Sequence, residues 1–259
     1  MEKKSVKKEY KLNKRRIISD YRKARRDLRE AYFSDLAKCN EEVGKGIPIN
    51  PPKRPLLEEI GNAVSHGVGA LFAIVALVLL CIASDRPREY VGASLYCFGL
   101  FAMFLMSCLY HSFLNGGKTK RLFRRFDYSG IYLLIGATFA PIILCYSQSK
   151  LSILFLVIQW TIIAFGITFI GIFGPVSLKG MHIALYVTLG WVGVLFIPEM
   201  IVRQDYSLLA FILGGGVVYS IGIIPFALDK KAAHFIWHLF VLCGAILQWI
   251  GIYVNIYLN

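Results

Sequence analysis

Ala233-His234-Phe235-Ile236-Trp237-His238-Leu239-Phe240 opens the last hydrophobic segment of the chain. Two histidines four residues apart project from one face of a helix, one turn above the other. That spacing lets two imidazoles hold one metal ion. It equally suits interfacial histidines that hydrogen-bond to neighbouring helices. The setting is decided by the apolar run that they open, from 234 to 257, about the 20 residues needed to cross a bilayer. Ionisable side chains at the edge of such a span are costly, so two on one face require a reason.

The rest of the chain has the same character. Hydrophobic residues make up 56% of 259 and the mean hydropathy is +0.57, too apolar for an ordinary soluble domain. Charge is uneven. Residues 1–55 carry 17 Lys or Arg against 8 Asp or Glu, whereas the remaining 204 carry 12 against 8. The six cysteines (Cys39, Cys81, Cys97, Cys108, Cys145 and Cys243) form no CxxC, and all but Cys39 fall in apolar runs. They read as small buried hydrophobes rather than a disulfide framework. More than fifty mostly polar residues precede the first apolar run, so no secretory signal peptide is expected.

Seven apolar runs are predicted to span the membrane, at about 62–84, 91–113, 127–148, 151–172, 181–200, 207–228 and 234–257. Short connections between them suit a compact helical bundle. Pro141 and Pro225 fall inside spans, where kinks are tolerated. The expected fold is therefore an all-α integral membrane protein, with a seven-helix domain over 56–259 behind a basic tail over 1–55. Within the tail, Ile17, Tyr21, Ala24, Leu28, Tyr32 and Leu36 recur every three or four residues among Arg and Lys. This pattern predicts an amphipathic helix lying on an anionic membrane surface. Basic charge alone also suits nucleic acid, but a tail tethered to a membrane domain is expected to meet lipid instead. Gly44 to Pro55, with four prolines, reads as a linker that stops the helix.

Basic residues set the expected orientation. With the N-terminus in the cytoplasm, the inner segments hold 25 Lys or Arg and the outer ones only Arg86, Arg88, Lys150 and Arg203. Seven spans then place the C-terminus outside. In that topology His66, His111, Asp127, His182, His234 and His238 all fall at the cytoplasmic ends of their helices. Ser107 lies one turn deeper than His111 on the same face. Convergence at one depth favours a shared site. Imidazoles with a nearby carboxylate suit Zn²⁺, and the lack of paired thiolates argues against a structural cysteine site. Three protein ligands would leave a fourth position open, the arrangement that makes hydroxide available near neutral pH. Asp127 could accept a proton there and Ser107 could donate to a developing oxyanion. Asp127 could equally be an interfacial acid answering Arg124 and Arg125, and Ser107 could bond back to its own helix.

Four stretches carry a resemblance to a known family. They are Glu58-Glu59-Ile60-Gly61-Asn62-Ala63-Val64-Ser65-His66-Gly67, Ser107-Cys108-Leu109-Tyr110-His111-Ser112, Phe126-Asp127-Tyr128-Ser129-Gly130-Ile131-Tyr132, and His234 to Leu242. Together they resemble the haemolysin III family, bacterial relatives of the progestin and adiponectin receptors in a superfamily that includes alkaline ceramidases. The likeness implies a seven-helix fold with zinc near the cytoplasmic face, held by His111, His234 and His238. It implies that Asp127 orients the reactive water with support from Ser107, and we place His66 behind the ligands. His182 matches none of the motifs and is expected to be an ordinary buried histidine. The long basic prelude departs from the bacterial members.

The leading expectation is a zinc-dependent hydrolase of a lipid amide or ester, in the plasma membrane. A receptor with structural zinc and a cytolytic pore are the alternatives. A pore requires polar stripes through the full depth of several spans. Here the polar residues cluster at one end, with Gln159, Gln248 and Asn255 as exceptions.

Overall fold

The structure, a computed structural model, describes residues 2–42, 50–149, 151–228 and 230–259. These divide into two compact units, Met1–Ile49 and Asn50–Asn259. Among its described residues the first is a single helix, α1 (Glu2–Glu42), exposed at every described side chain from Glu9 to Tyr32. Residues 44–49 of the expected linker lie outside the described residues, as does the side chain of Leu36.

In the second unit, seven helical stretches are long and apolar enough to cross a membrane. They are α2 (Leu56–Ile82), α3 (Pro87–Ser112), α4 (Lys118–Pro141), α5 (Leu151–Phe173), α6 (Lys179–Trp191) with α7 (Ile197–Val202), α8 (Tyr206–Ala227) and α9 (Ala233–Ile252). The chain is thus a multi-pass helical membrane protein. Several helices start earlier than their apolar runs suggest. α4 begins at Lys118, nine residues before Asp127, because the buried side chains of Lys120 and Arg124 have places within the bundle. α2 likewise includes Glu58 and Glu59 in its first turn.

The prolines act locally. Pro141 closes α4, and the chain continues as a π-helical turn over Ile142–Tyr146, where the missing N–H breaks the regular ladder. Pro225 sits two residues before the end of α8 and ends it. The fifth span is not one regular helix. A 3₁₀ turn over Val192–Phe196 separates α6 from α7, and Pro198 in the first turn of α7 accounts for the restart.

The tightest packing joins α2 to α3, α3 to α4, and α8 to α9, while α2 also meets α9. Small residues permit these approaches. A Cβ at Gly130 would lie 2.9 Å from the Met103 Cα, so α3 and α4 touch backbone to backbone there. Only Cys97 among the described cysteines is buried, and Cys243 is exposed. The expectation of uniformly buried thiols is corrected, because an apolar side chain in a membrane span can face lipid at no cost. The Cys39 side chain lies outside those described.

At the end of the bundle away from the histidines, Glu199 accepts hydrogen bonds from Ser147, the Gln148 N–H and Arg203, and Tyr146 donates to Asp205 at 2.6 Å. These bonds tie the π-helical turn after α4 to the α7–α8 corner.

Candidate metal centre

α2, α4 and α9 begin, and α3 ends, at one end of the bundle. His111 is the penultimate residue of α3, and His234 and His238 occupy the first two turns of α9. Their ring nitrogens converge. His238 Nε2 lies 3.2 Å from His234 Nε2, which lies 3.3 Å from His111 Nε2. One nitrogen from each ring falls within 4.8 Å of the others, and His111 and His238 are buried.

The remaining contacts explain why the rings point inward. Glu59 Oε2 lies 2.6 Å from His111 Nδ1. An ionised carboxylate only accepts, so Nδ1 carries the proton and Nε2 presents its lone pair to the other two rings. The second Glu59 oxygen accepts from Lys120 Nζ at 2.9 Å, and that lysine is only 1% exposed. Asn62 lies 3.3 Å from the same His111 Nδ1. Glu58 accepts from the Ala232 N–H at 3.2 Å. Ala232 is left-handed, with φ 61°, and immediately precedes α9, so this bond anchors the backbone that carries His234 and His238. Three converging, largely buried imidazole nitrogens, one with its tautomer held by a carboxylate, can hold a metal ion.

Ser107, Asp127, His66 and His182, the other candidates from the sequence, divide between this cluster and elsewhere. Ser107 is fully buried one turn before His111. Asp127 is buried beside it, with Ser107, His111, Arg124 and Arg54 the groups that act on its carboxyl. Among the described residues no ion pair within 4 Å includes Asp127. Arg125 does not turn to it either, donating instead to the Gly171 carbonyl at 3.0 Å. His66 stacks on His238 with ring centres 3.7 Å apart and meets the Phe104 edge on its other side. His182 stands apart, hydrogen-bonded through Nδ1 to the Tyr132 hydroxyl at 2.9 Å. Four of the five histidines therefore form one cluster.

Sequence reasoning missed the supporting roles of Glu58, Glu59, Asn62 and Lys120. Their spacing carried the signal. Glu59, Asn62 and His66 lie three and four apart, hence on one face of α2. Lys120, Arg124 and Asp127 repeat the pattern on α4.

Beside the centre, an apolar cavity of about 130 Å³ opens between α4, α6, α8 and α9, with Met103, Tyr186, Trp191, Tyr219, Phe226 and Trp237 among its walls. Phe226 brings this wall to the histidines, its ring centre 6.3 Å from that of His234.

Comparison with known proteins shows the family of the chain. A family model described as Haemolysin-III related matches residues 55–249. Hemolysin-3 of Bacillus cereus is 36% identical over 195 residues, covering 73% of this chain and 87% of that protein. The Hemolysin-3 homolog of Bacillus subtilis (strain 168) is 33% identical over 193 residues, 73% of this chain and 89% of that one. Monocyte to macrophage differentiation factor of Homo sapiens is 28% identical over 219 residues, with coverages of 81% and 90%.

Proposed function

The chain belongs to the haemolysin III-related family, and from that premise we propose that it is a zinc-dependent hydrolase of a lipid amide or ester. The observation that carries this reading is the state of Ser107 and Asp127. Both are buried beside the three histidines, the serine hydroxyl next to the carboxyl, and among the described residues no ion pair within 4 Å includes that carboxyl. A hydroxyl and a carboxyl set side by side against three imidazoles can serve a polar reactant as donor and proton acceptor.

His111, His234 and His238 would hold the ion, for which imidazole donors without thiolates favour zinc. Zinc held there would polarise a carbonyl and supply a nucleophile near neutral pH. Glu59 keeps the His111 proton on Nδ1, so the ring binds through Nε2. The Asp127 carboxylate accepts the proton released by the attacking water. The Ser107 Oγ–H donates to the oxygen that gains charge as the carbonyl is attacked. The apolar cavity beside His234 gives a chain segment somewhere to lie. At about 130 Å³ it is near the ~150 Å³ that holds one benzene ring, so it takes part of a chain and the remainder stays among the helices or in lipid.

Two bacterial relatives carry the name hemolysin, and lysis by a pore would need polar walls through the membrane. The walls of this cavity are mostly aromatic and aliphatic, which favours the hydrolase. Lipid analysis of cells that lack the protein or overproduce it tests the reading. At least one amide- or ester-linked lipid should fall on overproduction, and Asp127→Asn and Ser107→Ala should abolish that change while keeping the metal. Unchanged lipids across wild type and variants would retire the enzyme and leave a receptor with structural metal.

A further inference from the structure

The apolar cavity beside the centre has an amide in its wall. Along α9 that wall is Trp237, Val241 and Gln248, which follow one another by four and seven residues and so share one helix face. Trp237 stands between His234 and His238 in the chain. Gln248 lies ten residues beyond His238, about 15 Å along the helix axis. A polar side chain so far inside a membrane span is costly unless its groups are paired. Gln248 is paired only in part. Its Nε2 donates to the Ile212 carbonyl at a long 3.5 Å, and among the described residues its Oε1 accepts no hydrogen bond. α8 makes room for this side chain, since a Cβ at Gly215 would overlap the Gln248 Cγ and lie 3.1 Å from its Cδ. The hydroxyls of the same wall are used elsewhere. Thr138 donates to the Leu134 carbonyl, Tyr186 to the Tyr128 carbonyl, and Ser220 to the Gly216 carbonyl while accepting from Trp191. The Tyr219 hydroxyl is itself buried, with almost no accessible surface.

Gln248 is thus left with a carbonyl oxygen and one N–H to offer. A single hydroxyl group satisfies both, donating to Oε1 and accepting from Nε2. Water is the weaker candidate. A buried water needs two to four polar partners, and here the amide stands among aromatic and aliphatic walls. A hydroxyl carried on a hydrocarbon chain is held by those walls as well. We propose that the cavity is a binding site for a chain hydroxylated near its middle, with the Gln248 amide as the group that recognises the hydroxyl. This rests on the hydrolase reading for the identity of the occupant, which becomes the acyl chain of the substrate, but the preference itself does not require turnover. With the carbonyl of that chain at the level of His238, about twelve carbons reach Gln248, because ~1.5 Å bonds at tetrahedral angles advance roughly 1.3 Å per carbon.

The test is binding of 12-hydroxyoctadecanoic acid and octadecanoic acid to the purified, metal-loaded full chain in detergent, read by native mass spectrometry. The ratio of the two affinities in wild type is divided by the ratio in Gln248→Met, which cancels their different partition into micelles. That quotient should be about tenfold, since a plain chain leaves the wild-type amide unpaired and the hydroxyl goes unpaired in the variant. 6-Hydroxyoctadecanoic acid, whose hydroxyl falls short of Gln248, should give a quotient near one. Thr138→Val, which removes a hydroxyl already bonded to its own helix, should keep the wild-type ratio. Methionine matches glutamine in length and should leave the metal content unchanged; Gln248→Leu repeats the comparison if it does not. A quotient near one for the 12-hydroxy acid, or equal quotients for the two hydroxy acids, overturns the proposal. The readout separates this site from the reaction. A quotient of about tenfold without any lipid turnover in cells contradicts the hydrolase and supports the site. Turnover confined to lipids with unsubstituted chains, together with a quotient near one, does the reverse.

Discussion

At the scale of single residues, the centre depends on groups that orient rather than bind. Glu59 fixes the His111 tautomer while holding Lys120, so it joins α2, α3 and α4 through one carboxylate. Partners of this kind typically contribute 10–100-fold in metal affinity or activity, roughly, when lost. Glu59→Ala should therefore weaken metal binding by about that factor in a chelator-competition titration, and Glu59→Gln, which still accepts through its amide oxygen, should weaken it less. Equal affinity in wild type and Glu59→Ala would show that the tautomer is held by something else. The four-residue spacing and the alternation of span ends gathered the five histidines at one level, and the resemblance to the haemolysin III family singled out His111, His234 and His238, the three that the structure brings together. Glu59 was not legible, because a charged residue ahead of an apolar run looks like loop until its partner on another helix is known. Lys120 was hidden for the same reason.

Elements show where hydropathy stops being informative. Seven spans follow from runs of about 20 apolar residues, since few other arrangements suit them. The break between α6 and α7 was not legible, because the apolar run continues through it and only Pro198 marks the restart. Contact between α3 and α4 is set by Gly130 against the Met103 backbone. Ala at 130 would gain up to about 1 kcal/mol of helix propensity but would overpack a site of backbone contact, at about 1–3 kcal/mol. The clash should win. Gly130→Ala is expected to lower the thermal unfolding midpoint of the solubilised protein and to loosen metal binding, because His111 and Asp127 ride on the two helices forced apart. A higher midpoint would mean that α3 and α4 yield without strain. α1 carries a different expectation. Its exposed Tyr10, Ile17, Tyr21, Leu28 and Tyr32 lie among Arg and Lys, a pattern suited to anionic lipid. A peptide of residues 2–42 should partition onto phosphatidylglycerol vesicles and leave them as the Debye length shrinks from about 10 Å at 0.1 M salt to 3 Å at 1 M. Partitioning that ignores both lipid charge and salt would contradict it.

The bundle gathers four of its five histidines at one end. Alternating spans bring His66, His111, Asp127, His234 and His238 to one level, and positive charge is expected to hold that level at the cytoplasmic face. Alkaline phosphatase fused after Asn259 should then be active and a fluorescent protein there dark; the reverse would turn the centre to the outside. The central claim, that His111, His234 and His238 hold one metal ion, is tested most directly by elemental analysis. The full chain would be purified without chelator, beside His111→Ala, His234→Ala and His238→Ala. One zinc per wild-type chain is predicted, with sharp loss in each histidine variant and near-full content in Asp127→Asn and Ser107→Ala under excess metal. A metal-free wild type, or undiminished zinc in the histidine variants, would contradict it.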